Sequence, residues 1–158
     1  MRKIILALIG AVVALGFGMA QAAELGDKKT LTMAEAKKIM AAAEAEAIKN
    51  KWTVAIAIVD EAGDLLMFTK LDDTQVGSVD IAIGKAYTSA RLKRPTKLLE
   101  DAVIKGGRTV LLSVKGLTLL EGGVPIIVGG KVIGAVGVSG VMSNQDAQVA
   151  QAGVDVVK

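Results

Sequence analysis

The sequence predicts an antiparallel α+β sandwich on three observations. Strand-like runs arrive in pairs, residues 52–60 with 65–71 and residues 124–128 with 131–138, and each pair is joined by a turn of hairpin composition. Amphipathic helix-like runs lie outside and between these pairs instead of alternating with single strands, which argues for hairpins beneath segregated helices. A length of 158 residues, with no internal repeat, long linker or low-complexity tract, suits one domain.

The first segment stands apart from that domain. Arg2 and Lys3 precede an apolar run over residues 4–15, and Ala20-Gln21-Ala22 places small residues where a signal peptidase reads them. This is the pattern of a signal peptide over residues 1–22, cleaved after Ala22, and it implies a periplasmic or secreted protein. The apolar run falls short of the ~20 residues of a membrane span, so no stable anchor is expected after cleavage. Residues 23–30 read as a flexible N-terminus and 31–158 as the domain.

Cleavage removes two of the 19 basic residues and none of the 16 acidic ones, leaving a net charge of +1. No basic stripe interleaved with aromatics is present, so nucleic acid is not an expected partner. Arg91, Lys93, Arg94 and Lys97 read as a solvated helix end or as an anion contact. Cysteine and histidine are both absent. That excludes thiolate nucleophiles, Cys/His zinc sites, Ser–His–Asp triads and imidazole acid–base catalysis.

Within the domain, Thr32-Met33-Ala34-Glu35 reads as a capping box opening a helix that Asn50 ends. Met33, Ala36, Ile39, Met40, Ala43 and Ala47 give it one apolar stripe. The run WTVAIAIVD is nearly all apolar, as in a strand covered on both faces. Ser78 is placed to cap a second helix through Arg91, with Asp80 in its first turn. Pro95 stops that helix and opens another, which Gly106-Gly107 breaks. Residues 110–114 suggest a short extended piece, and residues 116–123 carry no firm assignment. Gly129-Gly130 suits a two-residue hairpin turn. Gly134 and Gly137 inside the following strand indicate a bulge or a close approach, by a packed helix or by a flat ligand. Ser143 caps a last helix through Val157, with Asp146 three residues on.

Motifs of reactive chemistry are sparse. The glycines at 134, 137 and 140 do not fit a dinucleotide fingerprint, and Gly130-Lys131 is followed by Val132 where a phosphate loop needs Ser or Thr. Asp60, Glu61 and Asp64 at a hairpin tip, and Asp72 and Asp73 in the next loop, read as turn acids or as oxygen ligands for a hard cation.

Three strings carry a resemblance across residues 30–157: VAIAIVDEAGDLL, SVDIAIGKAYTSARLKRPT and GGVPIIVGGKVIGAVGVSG, with QDAQVAQAG closing the chain. In this order and spacing they resemble the haem-binding and haem-degrading domain family, the GlcG/HbpS-like proteins related to the C-terminal domain of PduO-type proteins. The resemblance implies a five-stranded antiparallel sheet with helices on its faces, a profilin-like α/β/α sandwich. It also implies a homo-oligomer, with an octamer the form it suggests, and haem or iron as ligand.

The chain departs from the family where a His-Arg pair commonly follows the second strand, for it carries Phe68-Thr69-Lys70-Leu71-Asp72-Asp73-Thr74. A histidine-ligated haem is thereby excluded. Met67, Met142 and Tyr87 are the axial candidates left by their chemistry, each with a plain structural alternative as core filler or helix-face residue. Thr96 is a candidate through resemblance to threonine-ligating relatives, or else a helix cap. Lys85, Arg91 and Arg94 can meet tetrapyrrole propionates.

Three functions follow. One is an exported oligomeric binding protein for haem or another small flat ligand, in haem or iron handling or sensing, with no catalytic residue of its own. Another is a haem-degrading or organic-acid-pathway accessory enzyme, in which acid–base work falls to Asp60, Asp72, Asp73, Lys85 or Tyr87. The last is a structural or interaction module without a small ligand.

Overall fold

Both expected hairpins form, and they share one sheet. In the computed structural model, which describes residues 28–157, β1 (Ala55–Asp60) pairs with β2 (Leu65–Lys70), and β3 (Gly123–Val128) pairs with β4 (Lys131–Ser139). β1 and β4 pair in turn from Ala55↔Ser139 to Asp60↔Gly134, so the order is β2-β1-β4-β3 and all neighbours are antiparallel. The hairpins therefore meet through their most buried strands and leave β2 and β3 as edges.

Strand alternation assigns the two faces. Ile56, Ile58, Ile126, Val136 and Val138 point into a core closed by α1 (Met33–Lys49) and α4 (Ser143–Val154). Ala55, Ala57, Val59 and Ala135 point the other way, against Ala82, Ala86 and Ala90 of α2 (Ser78–Leu92). The second interface is built almost wholly of alanine because the helix backbone lies directly on the sheet. A Cβ at Gly137 would sit 2.1 Å from the Ala82 carbonyl oxygen and 2.4 Å from the Ala86 nitrogen. That settles the use of Gly137: a helix packs there. Gly134 lies opposite Ile126, where the β3–β4 register shifts.

The turns follow their residues. Gly129 and Gly130 both take positive φ, at 59° and 75°, as a primed two-residue hairpin turn requires. At the β1–β2 tip, the Asp60 carboxylate accepts the backbone N–H groups of Ala62 and Asp64, each at 2.9 Å, and Glu61 pairs with Lys28. These acids hold a turn, and no group of three acidic side chains placed for a metal ion occurs among the described residues.

Several expectations are corrected. The sheet has four strands among the described residues, not five. Residues 110–114, expected to be extended, belong mostly to a 3-10 turn, Thr109–Ser113. The Ser113 hydroxyl donates back to the Val110 carbonyl at 2.8 Å and closes the turn on itself. Ser78 does not cap α2; Gly77 holds that position, and the Ser78 hydroxyl is buried against that of Ser139. Met142 precedes α4 where Ser143 was expected, with Gln145 accepting the Met142 N–H at 3.2 Å. That helix is regular only to Val154 before a 3-10 turn, Asp155–Val157. The Thr32 hydroxyl does accept from Glu35 N–H at 3.3 Å, while the Glu35 carboxylate turns to Lys38 instead of completing a capping box. The 1–22 segment lies outside the described residues, within which no helix is long and apolar enough to cross a membrane.

Candidate functional site

The outer edge of β3 is where helix ends, turns and charge converge. α2 stops because Lys93 turns left-handed, at φ 53° and ψ 41°, and Arg94 N–H reaches back to the Ser89 carbonyl at 3.2 Å. Pro95 then starts α3 (Thr96–Ile104). Thr96 is fully buried, and its hydroxyl accepts the Gly123 N–H at 2.9 Å. The α2–α3 turn is thus tied to the first residue of β3. Only glycine fits at that residue, because a Cβ would lie 2.4 Å from the Lys85 carbonyl oxygen and 2.7 Å from Thr96 Cγ2.

Behind the tie lies a buried ion pair. Lys85 Nζ donates to Asp146 Oδ2 at 2.7 Å and to the Val138 carbonyl at 2.9 Å, joining α2, β4 and α4. The other Asp146 oxygen accepts Val141 N–H at 3.2 Å. Burial raises the Asp146 carboxyl above its ordinary value of 3.8, and the Lys85 ammonium opposes that rise.

Two concavities flank the edge strand and share Ile127. One is an apolar groove of about 250 Å³ lined by Pro95, Val124, Pro125, Ile127, Gln151 and Val154. The other is a cleft of about 630 Å³ lined by Lys28, Lys29, Lys93, Lys131, Ile127, Gly130 and Val132, with Glu61 the one acid among the described residues that line it. Glu61 is occupied by Lys28, which raises the pKa of the lysine and lowers that of the glutamate. Among the described residues no carboxylate lies within ion-pair distance of Lys29, Lys93 or Lys131.

The residues singled out from sequence do not gather at one place. Lys85 is paired with Asp146 inside the protein and would have to break that pair to face a propionate. Arg91 stacks over the Tyr87 ring at 5.0 Å and donates to the Ala62 carbonyl at 3.4 Å, so both belong to the β1–β2 tip. Arg94 is exposed and donates to the Leu92 carbonyl. Met67 packs against the core from β2, and Met142 stands open at the start of α4, 70 % exposed. Thr96 lies behind the groove with its hydroxyl engaged.

Apart from Gln151, the groove is lined by apolar side chains. An iron ligand is another matter, for none of Met67, Tyr87, Thr96 and Met142 lines the groove or the lysine cleft. Sequence reasoning missed the cleft itself. Lys28 and Lys29 lie in the segment read as a flexible N-terminus, Lys93 was one of several basic residues read as a helix end or an anion contact, and Lys131 opens a strand, so nothing in the sequence joined them.

Comparison with known proteins agrees with this architecture. Residues 31–155 match the family model described as haem degrading protein HbpS-like. Protein GlcG of Escherichia coli K12 is 45 % identical over 112 residues, covering 71 % of this chain and 83 % of GlcG. The crystal structure of HbpS superposes with a TM-score of 0.81 at 30 % identity, over 88 % of this chain and 98 % of that one. The PduOC–haem complex superposes with a TM-score of 0.75 at 26 % identity, over 82 % and 96 %. With the fold matched and the family model spanning residues 31–155, the chain belongs to the family described as haem degrading protein HbpS-like.

Proposed function

We propose that the protein is an exported, homo-oligomeric binding protein for haem or a related flat tetrapyrrole, acting in haem or iron handling or in sensing. The observation that carries this reading is the apolar groove of Pro95, Val124, Pro125, Ile127 and Val154 beside the β3 edge, in a chain of this family. Two prolines stiffen its walls, so little order is lost when a flat ligand settles there. Haem binding by structural relatives, named as such in the PduOC complex, supports the same ligand class.

The groove is smaller than the ~300–1,000 Å³ of an enclosed small-molecule site, which suits a site completed by a second subunit. α3 runs on from Pro95 and carries Leu98 and Ile104 to the surface, followed by exposed Val110, Leu112 and Val114. Exposed large apolar side chains concentrated in one segment favour an interaction surface, and we assign them to the contact between copies. Export rests on the 1–22 signal pattern.

Titrating the purified mature protein with hemin tests the reading. The expected result is a saturable, stoichiometric shift of the Soret band; a band that only follows free hemin removes haem as the ligand. The family description also names haem degradation. A bound chromophore that disappears under reductant and leaves a biliverdin-like product would mark turnover instead of storage.

A further inference from the structure

We infer that the lysine cleft beside β3 is a carboxylate-binding subsite, and that the ligand of this edge is an apolar dicarboxylate held by its acid groups at Lys29, Lys93 and Lys131. This inference rests on the preceding proposal and specifies which end of the ligand lies where.

Charge and neighbourhood both point this way. Four lysines and one glutamate share a cleft of about 630 Å³, and the glutamate is already neutralised by Lys28. Lys29, Lys93 and Lys131, drawn from three separate parts of the chain, therefore line one cleft with no carboxylate within ion-pair distance among the described residues. Like charges gathered without partners repel, and an incoming carboxylate removes that cost. The Lys29 ammonium sits close above the β3–β4 turn, 3.5 Å from where a Cβ of Gly129 would stand.

The backbone at Lys93 supplies an independent sign. Its φ of 53° is a left-handed conformation that glycine or asparagine adopts most readily at a helix C-terminus. A lysine there costs on the order of 1 kcal/mol, and helix termination alone does not call for that side chain. Its position at the rim of the cleft gives the strain a use: the left-handed turn aims the residue at the β3–β4 hairpin while Pro95, two residues on, lines the groove.

Ile127 joins the two halves. The β3–β4 register shifts between Ile126 and Ile127, so Ile126 stays in the core while Ile127 stands half out of the sheet and lines both concavities. A ligand lying on Ile127 has apolar prolines on one side and ammonium groups on the other. Haem, with an apolar macrocycle and two propionates at one edge, has this distribution.

The test compares hemin with its dimethyl ester on the wild-type mature protein and on the Lys93→Gln/Lys131→Gln variant, with unchanged thermal unfolding as the control for folding. Loss of charge-assisted hydrogen bonds predicts that the variant binds hemin about tenfold more weakly or worse. The ester should bind both proteins alike, and added salt should weaken hemin binding to the wild type more than to the variant. Hemin bound equally well by both proteins overturns the subsite and leaves the groove as the haem site. An ester that discriminates as strongly as hemin also overturns it, since the lysines would then act by packing. No saturable binding of hemin to the wild type overturns the haem proposal and this inference together, and is told apart by the missing Soret shift.

Discussion

Lys85 is 2 % exposed and meets Asp146 across the interior of the protein. A pair of this kind is costly to break and cheap to replace, because desolvation offsets most of its Coulomb attraction. Asp146→Asn should therefore cost about 3–5 kcal/mol by leaving a buried ammonium without a counter-charge. Adding Lys85→Met should recover most of that loss, since asparagine can still accept the Val141 N–H. Urea unfolding at neutral pH checks both, and a double variant as weak as the single one would show that the pair contributes net stability. The raised pKa of Asp146 gives the same sign. A folded carboxyl that binds its proton more tightly than the unfolded one favours folding fully below 3.8, and that contribution is lost as pH rises through the folded value. Carboxyl NMR should place its midpoint above the usual aspartate range, and higher again in Lys85→Met, because the ammonium is the chief influence holding it down. Neither the pair nor its place was legible in the chain: Lys85 and Asp146 lie 61 residues apart, and each looks like an ordinary surface charge on a helix.

At the scale of elements, local pattern was a good guide wherever burial followed it. The continuous apolar run of β1 is buried on both faces, and the Gly-Gly turn takes the two positive φ values it was expected to take. Pattern failed where a segment lacked a partner. Residues 109–113 contain the β-branched Thr109 and Val110, yet they pair with no strand of the sheet, and the backbone closes a 3-10 turn instead. The α2–sheet interface offers a sharp test of element packing. Gly137→Ala should destabilise by about 3 kcal/mol or more, because its Cβ meets helix backbone that cannot rotate away. Gly77→Ala, with open space around it and an ordinary φ, should change stability by less than about 0.5 kcal/mol. Equal effects in chemical denaturation would mean that α2 can lift from the sheet.

At the scale of the whole molecule, the proposed contact between copies can be tested at the exposed apolar side chains of residues 98–114. Ile104 and Leu112 are 73 % and 66 % exposed, so charges there disturb little within one chain. Ile104→Glu/Leu112→Glu should lower the native mass to that of a monomer while leaving circular dichroism unchanged; a mass equal to that of the wild type would move the subunit contact elsewhere. The family was readable from three strings because they encode the layers that every residue around them packs on. The cleft was not, since Lys28, Lys29, Lys93 and Lys131 become neighbours only after the sheet has brought a helix end, a hairpin turn and the leading residues together. The rim of β3 carries one more consequence. An edge strand normally offers every second N–H to a passing chain. Here the Gly123 donor is spent on Thr96, and Pro125, two positions on, has none to give. A stray polypeptide looking for a template finds consecutive gaps in the row, so the border stays clear of cross-chain zippering and remains available to something small.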